Sequence, residues 1–544
     1  MTAAPKAAHG TDDAQRRASH PRASVWVSAN AGSGKTHALI TRVARLLLTG
    51  SDPHRILCLT FTKAAAAEMS ARLYKRLGNW ALMSDDALRD EIAGIEGQVP
   101  DATRLTAARK LFARAIETPG GLKIQTIHAF CERLLGRFPL EAGVPPHFEI
   151  LDERAAQDLM DEVRDAVLRR AASDTKVEAD AELGQALARI VARVDELTFD
   201  KLLREITAQR GNFAKLMDRF GGFEGICAAI RVALCVGERE TADDVRAEIA
   251  AIPEPAMKAA ADVLANGTKT DAARAALLHA CLAAPDPRLG DIDAYVSVFL
   301  TQKNEPRKTL ITKKLGEDNP VAAAAFEEEQ ARILRLTGHL RAVGVAEASE
   351  AIMALGVAIL DAFASAKRAR ALLDYDDLIA KTRSLLMTGE MAPWVLYKLD
   401  GGIDHILVDE AQDTSPEQWD VIARLADEFL SGQGARDVVR TIFAVGDEKQ
   451  SIFSFQGADP AHFNEMKRYF EKRVKAAGQD WDYVPLTRSF RSVPEVLGAV
   501  DRLFEMEAAR TGLTASGELD PHIAHRALDT GLVELWELEV PDEG

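Results

Sequence analysis

The chain has 544 residues, of which 47% are hydrophobic and 28% charged, and a net charge of −16. Compact domains typically have about 100–200 residues, so this length excludes a single ordinary domain and predicts two to four. The composition is typical of soluble globular protein, and no run of about 18 uninterrupted apolar residues offers a membrane span. The negative net charge argues against a protein that coats nucleic acid as histones do. It does not exclude a local basic surface that binds nucleic acid.

The N-terminal segment and the cysteines favour a cytoplasmic protein. The opening MTAAPKAAHGTDDAQRR lacks the apolar core of a secretory signal, and the five cysteines include no C-x-x-C pair. We therefore expect reduced thiols and no zinc site.

Residues 1–150 alternate short apolar runs with helical patterns. SVWVS and RILCLTFT are bounded by turn residues, and they lead into the helix-period segments TRVARLLLTG and AAAAEMSARLYKRL. Strand–helix units of a parallel sheet have this texture. The fold class predicted for this region is therefore α/β.

VWVSANAGSGKTHALITRV, residues 25–43, predicts a phosphate-binding loop. Such a loop needs a buried strand, a glycine-rich turn with inward-facing N–H groups, a lysine, and a hydroxyl at the start of a helix. We assign Lys35 to the β- and γ-phosphates and Thr36 to magnesium. Ala29 stands where the first glycine of the motif is expected, and a small side chain suits that position if φ stays negative. An ordinary glycine turn before a helix is the alternative. The predicted nucleotide-binding residues of the loop are Ser28, Ala29, Asn30, Ala31, Gly32, Ser33, Gly34, Lys35 and Thr36.

Residues 151–371 have a different texture. Stretches such as ERAAQDLMDEVRDAVLRRAA have helical spacing and almost no strand signal. We therefore predict an all-helical domain inserted into the α/β domain. Its basic run PRKTLITKK, residues 306–314, is either a patch that guides duplex DNA or a solvated loop, and the sequence leaves both open.

The α/β texture returns in residues 372–485. HILVDEAQD is an apolar strand that ends in Asp409, which suits a magnesium shell, and in Glu410, which suits orienting and deprotonating a water molecule. TIFAVGDEKQSIFSF places Gln450 just after a strand, where its amide can hydrogen-bond to a γ-phosphate and change partners when that phosphate leaves. The alternatives are surface acids at a strand end and an ordinary polar loop residue.

A further α/β segment is predicted for residues 486–544, with GLVELWELEVP as its last strand-like piece. LTRSFRSVPEVL offers Phe490 as an aromatic face for a base and Arg491 as a cation for transition-state charge. Taken alone, Arg491 is equally compatible with a surface arginine. We expect this segment to be the beginning of a second, truncated α/β domain.

The order of these motifs resembles the UvrD/Rep family of superfamily 1 DNA helicases. The resemblance rests on ANAGSGKT, LTFTKAAAAEM, TIHAFC, LVDEAQDTS, VGDEKQSIFSFQGA and LTRSFRS, in the family's order. TIHAFCERLLGRFPLEAGV and LLDYDDLI are most similar to the AddA branch, the helicase-nuclease subunits of double-strand-break repair. The resemblance implies RecA-like α/β domains, ATP and Mg²⁺, 3′-to-5′ movement on single-stranded DNA, contact with duplex DNA, and an AddB-like partner subunit.

The resemblance also implies roles for individual residues. Gln15 becomes the reader of adenine, Phe490 stacks on that base, and Arg491 becomes a γ-phosphate finger. For Phe61 and Phe130, packing in the core remains the alternative to DNA contact, and His128 is expected to contact the strand or the ATP site rather than a metal. The residues implied to contact single-stranded DNA are Phe61, Thr62, Thr126, His128, Phe130 and Phe455. Further basic candidates for the DNA face are Arg104, Arg109, Lys110, Arg114 and Lys123.

Departures from the stand-alone helicases favour the AddA-like branch. Ala64, Phe453, Phe455 and Gln456 stand where those enzymes usually have lysine, tyrosine, tryptophan and arginine. The family's later motifs and a nuclease-like cluster are not found in the sequence. Three hypotheses therefore stay open: a DNA-repair helicase, an ATP- and DNA-binding fragment unable to translocate alone, and a stand-alone UvrD/Rep-type helicase.

Overall fold

The computed structural model describes residues 7–173, 177–283, 292–388, 391–400, 402–430, 438–451, 460–511 and 521–536. The chain forms two compact units. One consists of Met1–Ile150 together with Ala371–Gly544, and the other is Leu151–Arg370. The phosphate-binding loop and the acidic strand ends both lie in the first, discontinuous unit.

The N-terminal part of the first unit alternates strands and helices. Its elements are α1 (Ala7–Ala18), β1 (Ser24–Ala29), α2 (Lys35–Leu48), β2 (Ile56–Thr60), α3 (Lys63–Leu82), α4 (Asp85–Glu96), α5 (Ala102–Glu117), β3 (Lys123–Thr126), α6 (Ile127–Arg137) and β4 (Glu149–Ile150). Helices α3, α4, α5 and α6 each begin after a residue whose side chain accepts a hydrogen bond from a backbone N–H of the first turn.

The second unit is helical. Its elements are α7 (Glu153–Ala171), α8 (Glu178–Val191), α9 (Glu196–Ala208), α10 (Arg210–Phe220), α11 (Phe223–Ala233), α12 (Ala242–Ala250), α13 (Glu254–Ala265), α14 (Lys269–Leu282), α15 (Ile292–Phe299), α16 (Lys313–Asp318) and α17 (Pro320–Ala369). The 50-residue α17 packs against α7, α8, α9, α11, α12, α13, α15 and α16. By length and composition alone, α17 is also the one helix of the described ranges apolar enough to span a membrane.

The first unit resumes after this helical region. Its remaining elements are β5 (Leu372–Leu373), α18 (Tyr375–Met387), α19 (Ala392–Asp400), β6 (His405–Val408), α20 (Pro416–Leu430), β7 (Thr441–Gly446), α21 (Pro460–Ala476), β8 (Trp481–Leu486), β9 (Arg488–Ser489), α22 (Pro494–Glu505), α23 (Glu507–Arg510) and β10 (Ile523–Ala524). The strand predicted from GLVELWELEVP is not formed in residues 531–536, and the rest of that stretch lies outside the described residues.

A six-stranded, all-parallel sheet organises the first unit, in the order β3-β2-β6-β7-β1-β8. This confirms the predicted α/β class. Side chains alternate along β1: Val25 and Val27 pack into one hydrophobic core with α2, while Trp26 packs into another against Trp419. Because both faces are covered, the strands are almost continuously apolar, as buried parallel strands must be. The carboxyl ends of β1, β6 and β7 therefore meet at one edge.

A buried polar network crosses the sheet near the start of β6. Arg42 is fully buried and donates to the carbonyl oxygens of His20 and Ala23 and, at 3.0 Å, to Oγ1 of Thr441. Oγ1 of Thr441 lies 2.9 Å from Nδ1 of His405. Because that oxygen accepts from Arg42, its own proton is available to His405, whose ring is then neutral. Burial, with Arg42 adding to it, lowers the pKa of His405 to about 3.

This network predicts a loss of stability in mild acid. The unfolded chain protonates His405 near its ordinary pKa of about 6.5, whereas the folded chain resists protonation down to about 3. Stability contributed by neutral His405 is therefore full above pH 6.5 and falls as the pH drops toward 3, by about 2 kcal/mol at pH 5. Denaturant unfolding at pH 7 and pH 5 should show a smaller difference for His405→Asn than for the unsubstituted chain. The exposed His147→Asn is the matched control, and equal pH dependence in both variants would contradict the prediction.

Candidate active site

The loop between β1 and α2 has the backbone of a phosphate-binding turn. Gly32 and Gly34 have φ values of +73° and +91°, a left-handed conformation that glycine adopts without strain. A Cβ on Gly32 would lie 2.5 Å from Cβ of Arg491, so close approach also requires glycine there. Ala29 is the buried last residue of β1 and pairs with Leu486 of β8, so the extended strand accommodates alanine at this position.

Lys35, the first residue of α2, lies at the meeting point of three sheet strands. Its Nζ is 2.9 Å from Oε2 of Glu410, after β6, and 3.4 Å from Oε1 of Gln450, after β7. Only 12% of the Lys35 side chain is exposed, against 36% for Glu410. The structure therefore brings Lys35 together with two residues that lie 375 and 415 positions away in sequence. Thr36 is half-buried in the first turn of α2, directly after Lys35.

Gln412 organises the acidic side of the site, and the sequence analysis did not assign it a role. Its Nε2 donates to Oε2 of Glu410 at 2.9 Å and to Oδ2 of Asp413 at 3.1 Å. Its Oε1 accepts from the backbone N–H of Asp447 at 2.9 Å. Gln412 thus joins the ends of β6 and β7. The signal available in the sequence was an amide between two acids in DEAQD.

Several carboxylates surround Lys35, and three of them have a raised pKa. Burial, followed by the neighbouring Glu410, raises the pKa of Asp409 to about 6, and the same two causes raise the pKa of Asp413 to about 6. Burial also raises the pKa of Asp447. The Oδ1 atoms of Asp409 and Asp413 are buried and have no hydrogen-bond partner within the described residues. Buried anionic oxygens without donors are suited to a divalent cation.

The residues present fit magnesium. In the described ranges no group of three or more His, Cys, Asp or Glu could hold a metal ion by itself. Magnesium at a nucleotide site needs none, because one or two carboxylates and the phosphates of the substrate suffice. Asp409, whose buried Oδ1 has no partner among the described residues, and the hydroxyl of Thr36 would supply the protein side of such a site.

Gln15 and Phe490 both lie next to the glycine-rich turn. Nε2 of Gln15 donates to the carbonyl oxygen of Ser33 at 3.2 Å. Its Oε1 is buried and has no hydrogen-bond partner in the part of the chain that the structure describes. The backbone N–H of Phe490 donates to the carbonyl oxygen of Gly32 at 2.8 Å. A Cβ on Gly34 would meet both Nε2 of Gln15, at 3.1 Å, and the Phe490 ring, at 3.8 Å. An amide group and an aromatic ring therefore lie close to the same glycine.

Arg491 is held next to the loop by its backbone. The buried Ser489, which the sequence analysis did not single out, accepts from the N–H groups of Arg491 and Ser492 at 3.4 Å each. The backbone of Arg491 is thereby fixed beside Gly32, while its side chain is exposed.

Two of the residues assigned to DNA contact cap helices. Thr62 is exposed and accepts from the N–H of Ala65 at the start of α3. Thr126 is buried and accepts from Ala129 at the start of α6. Both caps follow strands of the sheet, so the two helix N-termini lie side by side after β2 and β3. His128 packs edge-on against Tyr375 with ring centroids 5.2 Å apart, and burial lowers the pKa of its imidazole.

Phe130 lies in the hydrophobic core, so the structure favours the core-packing alternative for it. It is 7% exposed and belongs to the same core cluster as Ile127 and Leu134. A ring surrounded in this way has no free face for a base. Phe61 is half-buried and keeps part of its surface at the end of β2. Phe455 lies outside the described residues.

The different burial of the two rings predicts different effects on substitution. Phe130→Ala should lower the free energy of unfolding by about 3–5 kcal/mol, the usual cost of removing a buried aromatic side chain. Phe61→Ala should have a smaller effect on stability and weaken binding of single-stranded oligonucleotide by about 1–3 kcal/mol, the usual contribution of one stacked base. Denaturant titrations and fluorescence anisotropy measure the two effects. Equal stability losses with unchanged oligonucleotide binding would contradict the assignment of Phe61.

Four of the five basic candidates for the DNA face make contacts within the first unit. Arg104 bonds to Glu96, Arg109 pairs with Asp85 at 2.6 Å, and Arg114 pairs with Asp52 at 2.5 Å. Nζ of Lys123 donates to the carbonyl oxygen of Gly402 at 3.0 Å. These contacts give the four residues a structural role, and their contact with DNA stays a prediction. Lys110 is exposed on α5.

A comparison with protein families decides the assignment. The model of the family described as "UvrD/REP helicase N-terminal domain" matches residues 11–471. The chain belongs to the UvrD/REP helicase family. The match covers every residue of the candidate site from Gln15 to Gln450, and it confirms the resemblance drawn from the motifs. The parallel six-stranded sheet with a helical region between its parts is consistent with the RecA-like helicase fold that was predicted.

Three curated relatives of this chain share one name. It is 25% identical to the A subunit of the ATP-dependent helicase/nuclease from Listeria monocytogenes serotype 4a, over 96% of this chain and 40% of the relative. The proteins of the same name from Levilactobacillus brevis and Desulforudis audaxviator are 27% and 28% identical, over 88% and 91% of this chain. These names confirm the predicted similarity to the AddA branch. The chain spans about two fifths of the length of these relatives.

Proposed function

We propose that this chain is the ATP-hydrolysing part of a DNA helicase of double-strand-break repair and recombination, moving 3′ to 5′ along single-stranded DNA. One observation carries the proposal: Lys35, at the end of a phosphate-binding loop, contacts both Glu410 and Gln450. A lysine, an acid and an amide at this junction are the groups that phosphoryl transfer requires. Membership of a helicase family supports coupling of hydrolysis to DNA.

The nucleotide-binding roles follow from the positions of the side chains. The buried Oε1 of Gln15, which has no partner among the described residues, would accept a hydrogen bond from the adenine amino group. Phe490 would stack on the base. The backbone of residues 28–34 would surround the phosphates at the N-terminus of α2, where the helix dipole favours negative charge. Lys35 would bind the β- and γ-phosphates once it leaves Glu410.

Hydrolysis would then depend on Glu410. Freed from Lys35, its carboxylate would orient a water molecule and take its proton as the water oxygen attacks the γ-phosphorus and the bond to the β-phosphate oxygen breaks. Gln450 is hydrogen-bonded to both Lys35 and Asp447, so it can exchange partners when the γ-phosphate departs. Arg491, fixed beside Gly32, would neutralise charge on the transferred phosphoryl group. Thr36 and Asp409 would hold Mg²⁺, which supplies charge neutralisation of the phosphates when bound.

The DNA-binding part of the proposal rests on the end of the sheet carrying β2 and β3. Thr62, Thr126 and His128 lie at two adjacent helix N-termini, where N–H groups can receive phosphates, and Phe61 can stack on a base. Residues 486–544 are proposed to begin a second RecA-like domain. Action in the cytoplasm, and an AddB-like partner for a chain similar to one subunit of a helicase/nuclease, belong to the same proposal.

A second candidate function is an ATP- and DNA-binding fragment that needs further protein to translocate. The relatives' greater length favours it for this chain taken by itself. DNA-stimulated ATP hydrolysis separates the two candidates, measured with and without single-stranded oligonucleotide. Strong stimulation would support a working motor. ATP binding with little turnover would support the fragment, and no ATP binding would overturn both.

A further inference from the structure

A second lysine reaches the phosphate-binding loop. Lys449 lies in the one-turn helix Glu448–Gln450 after β7, and its ammonium donates a hydrogen bond to Oδ1 of Asn30. From the same turn, Gln450 contacts Lys35. This single turn therefore contacts both ends of the loop: Asn30, where β1 ends, and Lys35, where α2 begins.

The backbone of Asn30 is fixed on both sides. Its N–H donates to the carbonyl oxygen of Leu486 at 3.1 Å, and its carbonyl oxygen accepts from the N–H of Ser33 at 3.1 Å. Asn30 is 6% exposed, so its side chain has little room. With the backbone fixed, the side-chain amide of Asn30 can still present either its oxygen or its nitrogen to a given neighbour.

Lys449 decides this orientation, because an ammonium group can only donate hydrogen bonds. The amide oxygen of Asn30 must face it, and the NH₂ group must face the other way. That nitrogen, Nδ2, is buried and has no hydrogen-bond partner within the described residues. A buried donor without an acceptor is costly unless a ligand supplies one. At the start of a phosphate-binding loop, the natural acceptor is a phosphate oxygen.

We infer that Lys449 is a positioning residue, which holds Oδ1 of Asn30 so that Nδ2 donates to a phosphate oxygen of bound ATP. The inference rests on the proposed ATP site and adds to it a residue that acts through Asn30. It also couples the loop to the turn that carries Gln450. A change in the position of that turn would reorient a donor at the phosphates.

The test is the dissociation constant of a fluorescent ATP analogue for four forms of the chain. Lys449→Met should raise this dissociation constant about tenfold, because Nδ2 of Asn30 is then no longer held toward the charged phosphate oxygen. Lys449→Arg should restore binding, because a guanidinium group also only donates. Lys449→Glu should be worse than Lys449→Met, because a carboxylate accepts from Nδ2 and turns the amide oxygen toward the phosphates. A direct effect of the Lys449 charge on ATP would give the same order, so a second substitution is needed to test action through Asn30.

A double-mutant cycle with Asn30→Ala completes the test. In the Asn30→Ala background, Lys449→Met should change the dissociation constant by less than about twofold, because the effect acts through the missing amide. A full Lys449→Met effect in that background, or binding unchanged in Lys449→Met and Lys449→Glu, overturns the inference. If the unsubstituted chain binds the analogue and Lys35→Ala does not, the proposed ATP site stands whatever the Lys449 variants show. Failure of the unsubstituted chain to bind overturns both.

Discussion

Lys35→Ala is expected to abolish ATP binding, with a loss of affinity of at least about a hundredfold. Charge-assisted hydrogen bonds are worth about 1.5–3 kcal/mol each, and Lys35 is placed to make more than one with the phosphates. Its removal also exposes a polyanion to the uncompensated carboxylates of Asp409, Glu410 and Asp413. Burial, followed by the neighbouring Glu410, raises the pKa of both Asp409 and Asp413.

Equilibrium titration with a fluorescent ATP analogue measures this loss directly. Lys472→Ala is the matched control, because Lys472 is exposed on α21. The control should bind as the unsubstituted chain does, and the two variants should have similar thermal unfolding midpoints. Unchanged ATP affinity in Lys35→Ala would refute the phosphate-binding assignment of the whole loop.

Glu410→Gln is expected to separate binding from hydrolysis. Removal of a general base typically costs about 10²–10⁴-fold in turnover, and glutamine cannot take the proton from water. Binding should be equal or tighter, because Oε2 of Glu410 lies 2.9 Å from Nζ of Lys35 and competes with the phosphates for that cation. The left-handed backbone of Glu410, with φ of 48°, is the same for either side chain, so the substitution leaves its strain unchanged.

Steady-state phosphate release and analogue binding, measured on the same preparation, test this separation. Glu117→Gln is the matched control, since Glu117 is exposed at the end of α5. A Glu410→Gln variant that turns over at the rate of the control would show that another group orients the water. Weaker ATP binding than the control would contradict competition for Lys35.

The strands that carry the site could be predicted because their signals are local. Each of β1, β2, β6 and β7 is a short apolar run that ends in turn or acidic residues, and a strand buried on both faces requires such a run. Lys35, Glu410 and Gln450 were recognised by residue type at the ends of these runs. Their convergence then follows from a parallel sheet, because all carboxyl ends lie at one edge.

The contacts that hold the site together were not predictable in the same way. Gln412 and Lys449 act through single hydrogen bonds to particular atoms of Asp447 and Asn30, and no periodicity encodes such contacts. The position of β8 beside β1 was also missed, because strand order depends on pairing between distant segments. In residues 531–536, the described part of GLVELWELEVP, the opposite error occurred. Its apolar pattern suits a strand, but no strand is formed in residues 531–536.

The place of β1 in the sheet has a consequence for synthesis of the chain. Both neighbours of β1 come late: Val25 pairs with Phe443 on one side and Asp482 on the other. At about 5–20 residues per second, a ribosome makes the intervening segment in roughly 20–80 seconds. During that time β1 and its phosphate-binding loop have no partner strand, while β2 can already pair with β3. The nascent chain therefore carries an unpaired apolar strand, a target for chaperones, until its ATP site can form.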